Sequence, residues 1–226
     1  MNPVSISPVP GIPEVERGDD IAELAIGAGA DLQEGDVLVV TQKVVSKAEG
    51  RVVDATQKRD AIAAESMRVL RRSGEMTISE TRHGFVCANA GVDSSNIEGD
   101  RVVLLPIDPD ASARRIRSRV QHLAGVDVAV IITDTFGRAW RVGQTDVAIG
   151  VAGLSPFTDY RGSTDSQGRD LVATRICVAD EIAGAAELVM GKATGICVAI
   201  VRGVAWEPTR AAATEIARSP SDDLFR

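Results

Sequence analysis

The sequence predicts a fold of mixed α-helices and β-strands, the α+β class. Residues 128–133 are all β-branched or small and only Thr133 is polar, which is typical of a strand covered on both faces and too short for a buried helix. Asp108-Pro109-Asp110 supplies an N-cap and a proline at N1 for a helix that extends to about Leu123. MTISE and GFVCA, on either side of Thr81–Gly84, have the pattern of a hairpin.

The bulk properties exclude several classes of function. The chain has 226 residues and a net charge of -7, so a nucleic-acid backbone or an anionic membrane is not expected as its main partner. Cys87, Cys177 and Cys197 are widely spaced and indicate buried thiols, not a disulfide framework or a zinc site.

The sequence also predicts a cytoplasmic protein. Its first residues have neither the basic nor the apolar region of a signal peptide. The most apolar stretch, residues 182–204, is interrupted by Glu187 and Lys192 and does not fit a membrane span.

The first third of the chain reads as an extended segment followed by a helix and a strand. Four prolines between Pro3 and Val15 favour an extended course. Asp19-Asp20 offers an N-cap for a helix to about Gly29. The strand DVLVVTQ follows and is expected to present Lys43, Ser46 and Lys47 in a loop near its end, where a lysine could neutralise phosphate oxygens or simply be solvated.

The middle of the chain predicts two more helices. Apolar residues recur among charges from Gln57 to Arg72, which indicates a helix over that range. The helix after Asp108 carries four arginines on what we expect to be its solvated face. Between the two helices, Asp93 and Asn96 are either residues of Asx turns or, for Asp93, an oxygen ligand for a metal.

The last third contains three strand patterns and two helix patterns. TDVAIGVAGL, LVATRICVAD and GICVAIVRG read as strands, and the first two are separated by a long polar loop. A helix capped by Asp180 is expected to end at Gly191-Lys192. An alanine-rich helix is expected to end near Ser219-Pro220.

The strand at residues 128–133 leads into a turn rich in charge. Asp134 and Thr135 are hard oxygen donors that suit Mg²⁺ or Mn²⁺. Arg138 and Arg141 could hold a metal-bound polyphosphate or a substrate carboxylate. The alternative is that Asp134 and Thr135 only form the turn and that the arginines are solvated or make structural ion pairs with Asp146 or Asp159.

Common catalytic signatures are absent from the sequence. It contains neither the P-loop nor the dinucleotide-binding glycine motif. Nor does it contain a nucleophile elbow or a recognisable Cys/His pair, so no catalytic side chain is predicted to form a covalent intermediate.

Six blocks, in order and across nearly the whole chain, resemble the coenzyme F420 γ-glutamyl ligases. They are PGIPEV, TQKVVSKAEGR, AGVDSSN, TDTFGRAWRVGQTD, DYRGSTDSQGRDL and DEIAGAAELVMGK. The resemblance implies a cytoplasmic, GTP-dependent enzyme that adds L-glutamate to F420-0 through amide and γ-glutamyl bonds. It also implies one domain over residues 1–226, built from two mixed α+β subdomains unlike P-loop, Rossmann or ATP-grasp folds, and a close homodimer with the site in a cleft near the interface.

The resemblance carries specific residues over to this chain. It implies that Asp93, Asp134 and Thr135 bind two divalent cations, Mg²⁺ or Mn²⁺. It implies nucleotide contacts from the segment that comprises Ile12, Pro13, Glu14 and Val15, and from Gln42, Lys47 and Asn96, with Gly191-Lys192 beside them.

Two other functions remain open at this level. The chain could be the non-catalytic nucleotide- and metal-binding half of a bifunctional protein, because in some relatives a similar domain is followed by a nitroreductase-like one. It could also be an amide ligase for a different carboxylate, because no residue by itself specifies a deazaflavin.

Overall fold

The computed structural model describes residues 3–95 and 99–223. The helices are α1 Ile21–Gly27, α2 Gln42–Ala48, α3 Lys58–Glu65, α4 Pro109–Ala124 and α5 Val178–Met190. The strands are β1 Ser5–Pro8, β2 Val37–Thr41, β3 Val52–Asp54, β4 Ser66–Ser73, β5 Met76–Thr81, β6 Val86–Ala88, β7 Arg101–Val103, β8 Ala129–Arg138, β9 Arg141–Leu154, β10 Thr158–Asp159, β11 Arg175–Ile176, β12 Val198–Arg202 and β13 Pro208–Thr209.

The largest sheet has six strands in the order β1-β12-β2-β8-β9-β13. Only β2 and β8 pair in parallel within it, and the other neighbours are antiparallel. Smaller sheets are formed by β4-β5-β6, by β3-β7 and by β10-β11. The predicted α+β class is therefore confirmed, as is the antiparallel pairing of β5 with β6.

Strand β8 is buried on both faces, as its sequence predicts. Val130 and Ile132 pack in one core with residues of α1 and α4, whereas Ala129 and Ile131 pack in a second core with α5. All four side chains are 0% exposed, and burial of this kind supplies most of the stabilisation of a fold. Helices thus cover both faces of the sheet.

Several predicted boundaries are confirmed. The proline-rich N-terminal segment is extended, and β1 pairs with β12. Asp20 caps α1 by accepting hydrogen bonds from two backbone N–H groups, and Asp108 caps α4, which has its proline at the first turn. Helix α5 ends with Gly191 as its C-cap.

Five local predictions are wrong. Of LVATRICVAD, expected to be a strand, only Arg175–Ile176 forms one, because β11 pairs only with the two-residue β10 and α5 begins at Val178. Residues 42–48 form helix α2 instead of a loop, because Val44 and Val45 are buried in the core and this packing outweighs their modest helix propensity. The helix expected from Gln57 to Arg72 ends at Glu65, and the rest becomes β4, since pairing with β5 satisfies its backbone.

The other two wrong predictions concern the C-terminal helix and the N-cap of α5. The expected C-terminal helix is reduced to a single 3-10 turn at Ala213–Glu215, where the Ala213 N–H donates to the buried Asp110 carboxylate. Asp180 does not cap α5, which begins after Cys177. Its carboxylate instead accepts a hydrogen bond from the Ala148 N–H and ties α5 to β9.

The sequence predicted that the arginines of α4 are solvated, but they form ion pairs. Arg117 lies 2.6 Å from Asp127, Arg115 lies 2.8 Å from Glu49, and Arg119 pairs with Asp20. These ion pairs link α4 to the loops around it, although such partly exposed pairs contribute little stability each.

All three cysteines lie in the described ranges as free thiols. Cys87 is buried, and Cys177 and Cys197 are half-buried. Within residues 3–95 and 99–223, no helix has both the length and the apolar character needed to cross a bilayer.

Gly150 provides a test of how α4 packs on the sheet. A Cβ atom at Gly150 would lie 2.5 Å from the Pro109 carbonyl oxygen, so Gly150→Ala should destabilise the fold by about 1 to 3 kcal/mol through overpacking. Gly27→Ala is the matched control, because that exposed helical position has no atom within 4 Å of the added Cβ and should stabilise by about 0.4 to 1 kcal/mol. Urea denaturation measures both, and equal stability of the two variants would contradict this account of the packing.

Candidate functional site

A cleft of about 390 Å³ opens at one edge of the large sheet. Because β2 and β8 are parallel and Thr41, the last residue of β2, is paired with Thr133, the start of α2 lies beside the part of β8 that carries Asp134 and Thr135. The walls comprise Ile12, Pro13, Glu14, Val15, Thr41, Gln42, Lys43, Val44, Lys47, Thr133, Asp134, Thr135, Asp146, Glu187, Gly191, Lys192, Ala193, Gly195, Ile196 and Cys197.

Three lysines border the cleft, and each faces a carboxylate. Lys47 lies 2.5 Å from Glu14, and Lys192 lies 3.9 Å from Asp146. Lys43 lies 2.9 Å from Asp93. The residues that line the cleft thus include three lysines and four carboxylates, so a polyanionic ligand there would need further positive charge, such as a divalent cation.

Asp146 is fixed by its neighbours on the hairpin of β8 and β9. It is 4% exposed and lies opposite Thr135 in the strand register. The Thr133 hydroxyl donates to Oδ2 at 3.1 Å, and the Thr135 hydroxyl donates to Oδ1 at 2.5 Å. Lys192 also donates to the Thr135 hydroxyl, so this group of side chains forms one connected network.

Asp134 lies within β8, not in a turn after it, and is partly buried. Burial, helped by the nearby carboxylates of Asp93 and Asp146, raises the pKa of its carboxyl group to about 7, against the Thr135 N–H and Lys192, which lower it. A carboxylate in such surroundings is short of positive charge.

Asp93 has the opposite shift. Burial would raise its pKa, but the ammonium of Lys43 and the Ser95 N–H and hydroxyl outweigh burial and hold the pKa below its ordinary value of 3.8. The Ser95 N–H donates to Oδ1 at 2.9 Å, which is the geometry of an Asx turn. The turn and the proposed ligand role are thus compatible, since the turn orients the carboxylate.

The donor atoms present fit a hard divalent cation. Asp134, Asp93 and Thr135 offer carboxylate and hydroxyl oxygens, and the raised pKa of Asp134 shows that added positive charge would be favourable there. Among the described residues, no group of three or more His, Cys, Asp or Glu side chains is arranged to hold a metal ion. The set therefore fits Mg²⁺ or Mn²⁺ completed by ligand phosphates and water, and not a site made of protein ligands alone.

Gln42 carries a buried hydrogen-bond donor that has no acceptor among the described residues. Its side chain is 1% exposed, and Oε1 accepts a hydrogen bond from the Ser46 hydroxyl at 3.0 Å. Nε2 has no hydrogen-bond partner in the described part of the chain. Because buried polar groups are nearly always satisfied, this donor, on a residue that borders the cleft, is a candidate partner for an acceptor on a bound molecule.

The structure brings most of the predicted site residues together. Those that border the cleft are Ile12, Pro13, Glu14, Val15, Gln42, Lys47, Asp134, Thr135, Gly191 and Lys192. Asp93 contacts it through Lys43. Asn96 lies outside the described residues, so its predicted role stays a prediction.

Arg138 and Arg141 are not brought to the cleft. Both are exposed at the far end of the β8–β9 hairpin, where Arg138 donates to the Val142 carbonyl oxygen at 2.8 Å. Arg138 does not form the ion pairs considered from sequence, because Asp146 lies against Lys192 and Asp159 pairs with Arg161.

Sequence reasoning missed two polar residues of the site, Asp146 and Glu187, and it predicted Lys43 to be either a phosphate-neutralising lysine or a solvated one. The pKa of Glu187 is raised by burial and by the Asp146 carboxylate. The pairing of β8 with β9 and the packing of α5 place Asp146 and Glu187, and the only local signal was the polar block GQTD.

Removing the charge of Asp134 and removing that of Asp93 should have opposite effects on the stability of the metal-free protein. Since the pKa of Asp134 is raised from 3.8 to about 7, its carboxylate destabilises the fold increasingly between about pH 4 and 7 and fully above that. Asp134→Asn should therefore be more stable than the wild type at pH 8, by up to about 4 kcal/mol, and equal to it below about pH 4.

Asp93→Asn is the matched control. Its lowered pKa stabilises the fold above pH 3.8, and this contribution is lost as the pH falls through the folded-state pKa, so the variant should be less stable than the wild type at pH 8 and equal to it in acid. Thermal denaturation with EDTA across pH measures both. An Asp134→Asn variant no more stable than the wild type at pH 8 would contradict the assigned environment.

Comparison with known proteins gives the family. Residues 11–203 match the model of the family described as F420-0:Gamma-glutamyl ligase. A protein of Methanothermobacter thermautotrophicus named Coenzyme F420:L-glutamate ligase is 42% identical over 99% of this chain and 99% of its own. A protein of the same name from Methanopyrus kandleri is 44% identical over 98% of this chain and 97% of its own. One from Archaeoglobus fulgidus is 41% identical over 99% of this chain and 96% of its own. The chain therefore belongs to the F420-0:γ-glutamyl ligase family.

Proposed function

We propose that this protein is a GTP-dependent ligase that joins L-glutamate to F420-0 in the biosynthesis of coenzyme F420. Family membership supports the ligase activity and its substrates, because the similar proteins carry that name over nearly all of both chains. The proposal that the protein binds a nucleotide is supported by the cleft, which brings together three lysines, an unsatisfied buried amide and hard oxygen donors.

Amide formation from a carboxylate requires a leaving group. In the proposed reaction an oxygen of the F420-0 carboxylate attacks the γ-phosphorus of GTP, and the bond to the bridging oxygen breaks to release GDP. The glutamate amine then attacks the carbonyl carbon of the resulting acyl phosphate, loses a proton and displaces inorganic phosphate. The protein supplies position and charge neutralisation for such a phosphoryl transfer.

The cleft residues divide into two roles. Lys47 and Lys192 are placed to neutralise phosphate oxygens, the Gln42 amide nitrogen donates to an acceptor of the nucleotide, and residues 12–15 form a wall beside it. Asp134, Asp93 and Thr135 would hold two divalent cations. When bound, Mg²⁺ or Mn²⁺ supplies positive charge to the phosphate oxygens.

We further propose that the protein acts as a homodimer. Exposed apolar side chains occur at the tip of the β8–β9 hairpin, where Trp140 is 79% and Val142 is 101% exposed, and on β4, where Met67 is 72% exposed. Apolar side chains presented in this way are typical of a surface that another subunit covers.

The ligase assignment is tested by mass spectrometry of F420-0 incubated with the protein, L-glutamate, GTP and Mn²⁺, with GDP release followed in parallel. We expect product heavier by one or more glutamyl units only when GTP is present. Asp134→Ala should lower the rate by at least about 100-fold, because one carboxylate ligand is lost at a site of phosphoryl transfer. Activity of this variant near that of the wild type would contradict the role of Asp134, and glutamylation without GTP would contradict the nucleotide.

The dimer is tested by light scattering after size exclusion. Val142→Asp should weaken self-association by at least about tenfold, because a charge is costly at the centre of an apolar contact. Val172→Asp is the control, since Val172 is 81% exposed on a different loop. A wild-type protein that is monomeric at micromolar concentration would overturn the proposal.

A further inference from the structure

Lys43 is held inside the cleft by a residue of the proposed metal site. Its side chain is 14% exposed. Its ammonium lies 2.9 Å from Oδ2 of Asp93 and 2.5 Å from the Ser95 hydroxyl oxygen. The ammonium of such an enclosed lysine has lost much of its hydration, so it depends on its protein partners more than a solvated surface lysine does.

The carboxylate of Asp93 already accepts three hydrogen bonds. Oδ1 accepts the Ser95 N–H, and Oδ2 accepts both the Ser95 hydroxyl at 2.8 Å and the Lys43 ammonium. Asp93 is also close enough to Asp134 to raise the pKa of that group. A divalent cation bound at Asp93 would lie close to the Lys43 ammonium, and the two positive charges would repel each other.

We propose that Lys43 exchanges partners during ligand binding. In the protein without metal it is the counter-ion of Asp93, and when Asp93 takes a divalent cation its ammonium turns to a phosphate oxygen of the nucleotide. This inference rests on the proposed function, because it concerns the regulation of the same site. It makes Lys43 a further nucleotide-binding residue whose availability depends on the metal.

Lys47 is placed differently and is not expected to behave in this way. Its partner Glu14 is 64% exposed and belongs to the N-terminal wall, whereas the partner of Lys43 is Asp93. A cation bound at Asp93 would leave the pair of Lys47 and Glu14 unchanged. The exchange is therefore a property of the contact between Lys43 and Asp93.

The exchange links the two ligands thermodynamically. Metal binding frees Lys43 for phosphate, and phosphate binding removes Lys43 from Asp93, so each ligand raises the affinity for the other by the same factor. Removing the ammonium should therefore have effects of opposite sign on the two ligands. A lysine that only binds phosphate, or only supports the fold, does not produce this combination.

Lys43→Met tests the exchange by titration calorimetry without F420-0 or glutamate, so that no turnover is needed. For Mn²⁺ alone we expect about 2- to 10-fold tighter binding than to the wild type, because the competing charge is gone. For GDP in saturating Mn²⁺ we expect about 10-fold weaker binding or more, because a charge-assisted hydrogen bond is lost. Lys58→Met, which removes the same charge at the start of α3, should change neither constant by more than about twofold.

Lys43→Arg keeps the exchange testable should the methionine variant fail to fold. Because arginine retains the charge beside Asp93, this variant should bind Mn²⁺ alone no more tightly than the wild type. Weaker or unchanged Mn²⁺ binding by Lys43→Met, or tighter Mn²⁺ binding by Lys43→Arg, would overturn the exchange. Wild-type protein that binds neither Mn²⁺ nor GDP would instead overturn the proposed function, so the two failures are distinguishable.

Discussion

The parallel pairing of β2 with β8 is the constraint on which the site depends. Both strands are completely buried at their centres, and their register sets Thr41 beside Thr133. A one-residue slip would exchange the side chains that pack in the two cores and disturb the packing of both, so burial fixes that register. As a consequence, the lysines of α2, which follows β2, are held beside Asp134 within β8.

The cleft contains polar groups whose surroundings do not satisfy them. Asp134 is a carboxylate in surroundings that favour its protonated form, and Gln42 has an unsatisfied buried donor. Each feature makes the protein less stable, and a ligand that brought positive charge to Asp134 and a hydrogen-bond acceptor to Gln42 would relieve both. The pairing of Lys43 with Asp93 then acts as a provisional neutralisation that metal and nucleotide would replace.

The sequence predicted elements well where the signal was local and poorly where distant contacts decided. The caps of α1 and α4 and the buried run of β8 follow from neighbouring residues. Residues 66–73 carry spacing that also fits a helix, and only their pairing with β5 makes them a strand. For the site, the motif resemblance selected Asp134, Thr135, Gln42 and Lys47, but it could not reveal that Asp146 accepts both threonine hydroxyls.

The sequence by itself determined the α+β class, the acidic character that rules against nucleic acid, and the ordered motifs that indicate the family. Those properties reside in composition and in short runs of residues. The tertiary structure alone decided that Arg138 and Arg141 lie away from the cleft while Lys43, Asp146 and Glu187 belong to it. The physical reason is that strand register and helix packing, which join residues far apart in the chain, set the distances between charges.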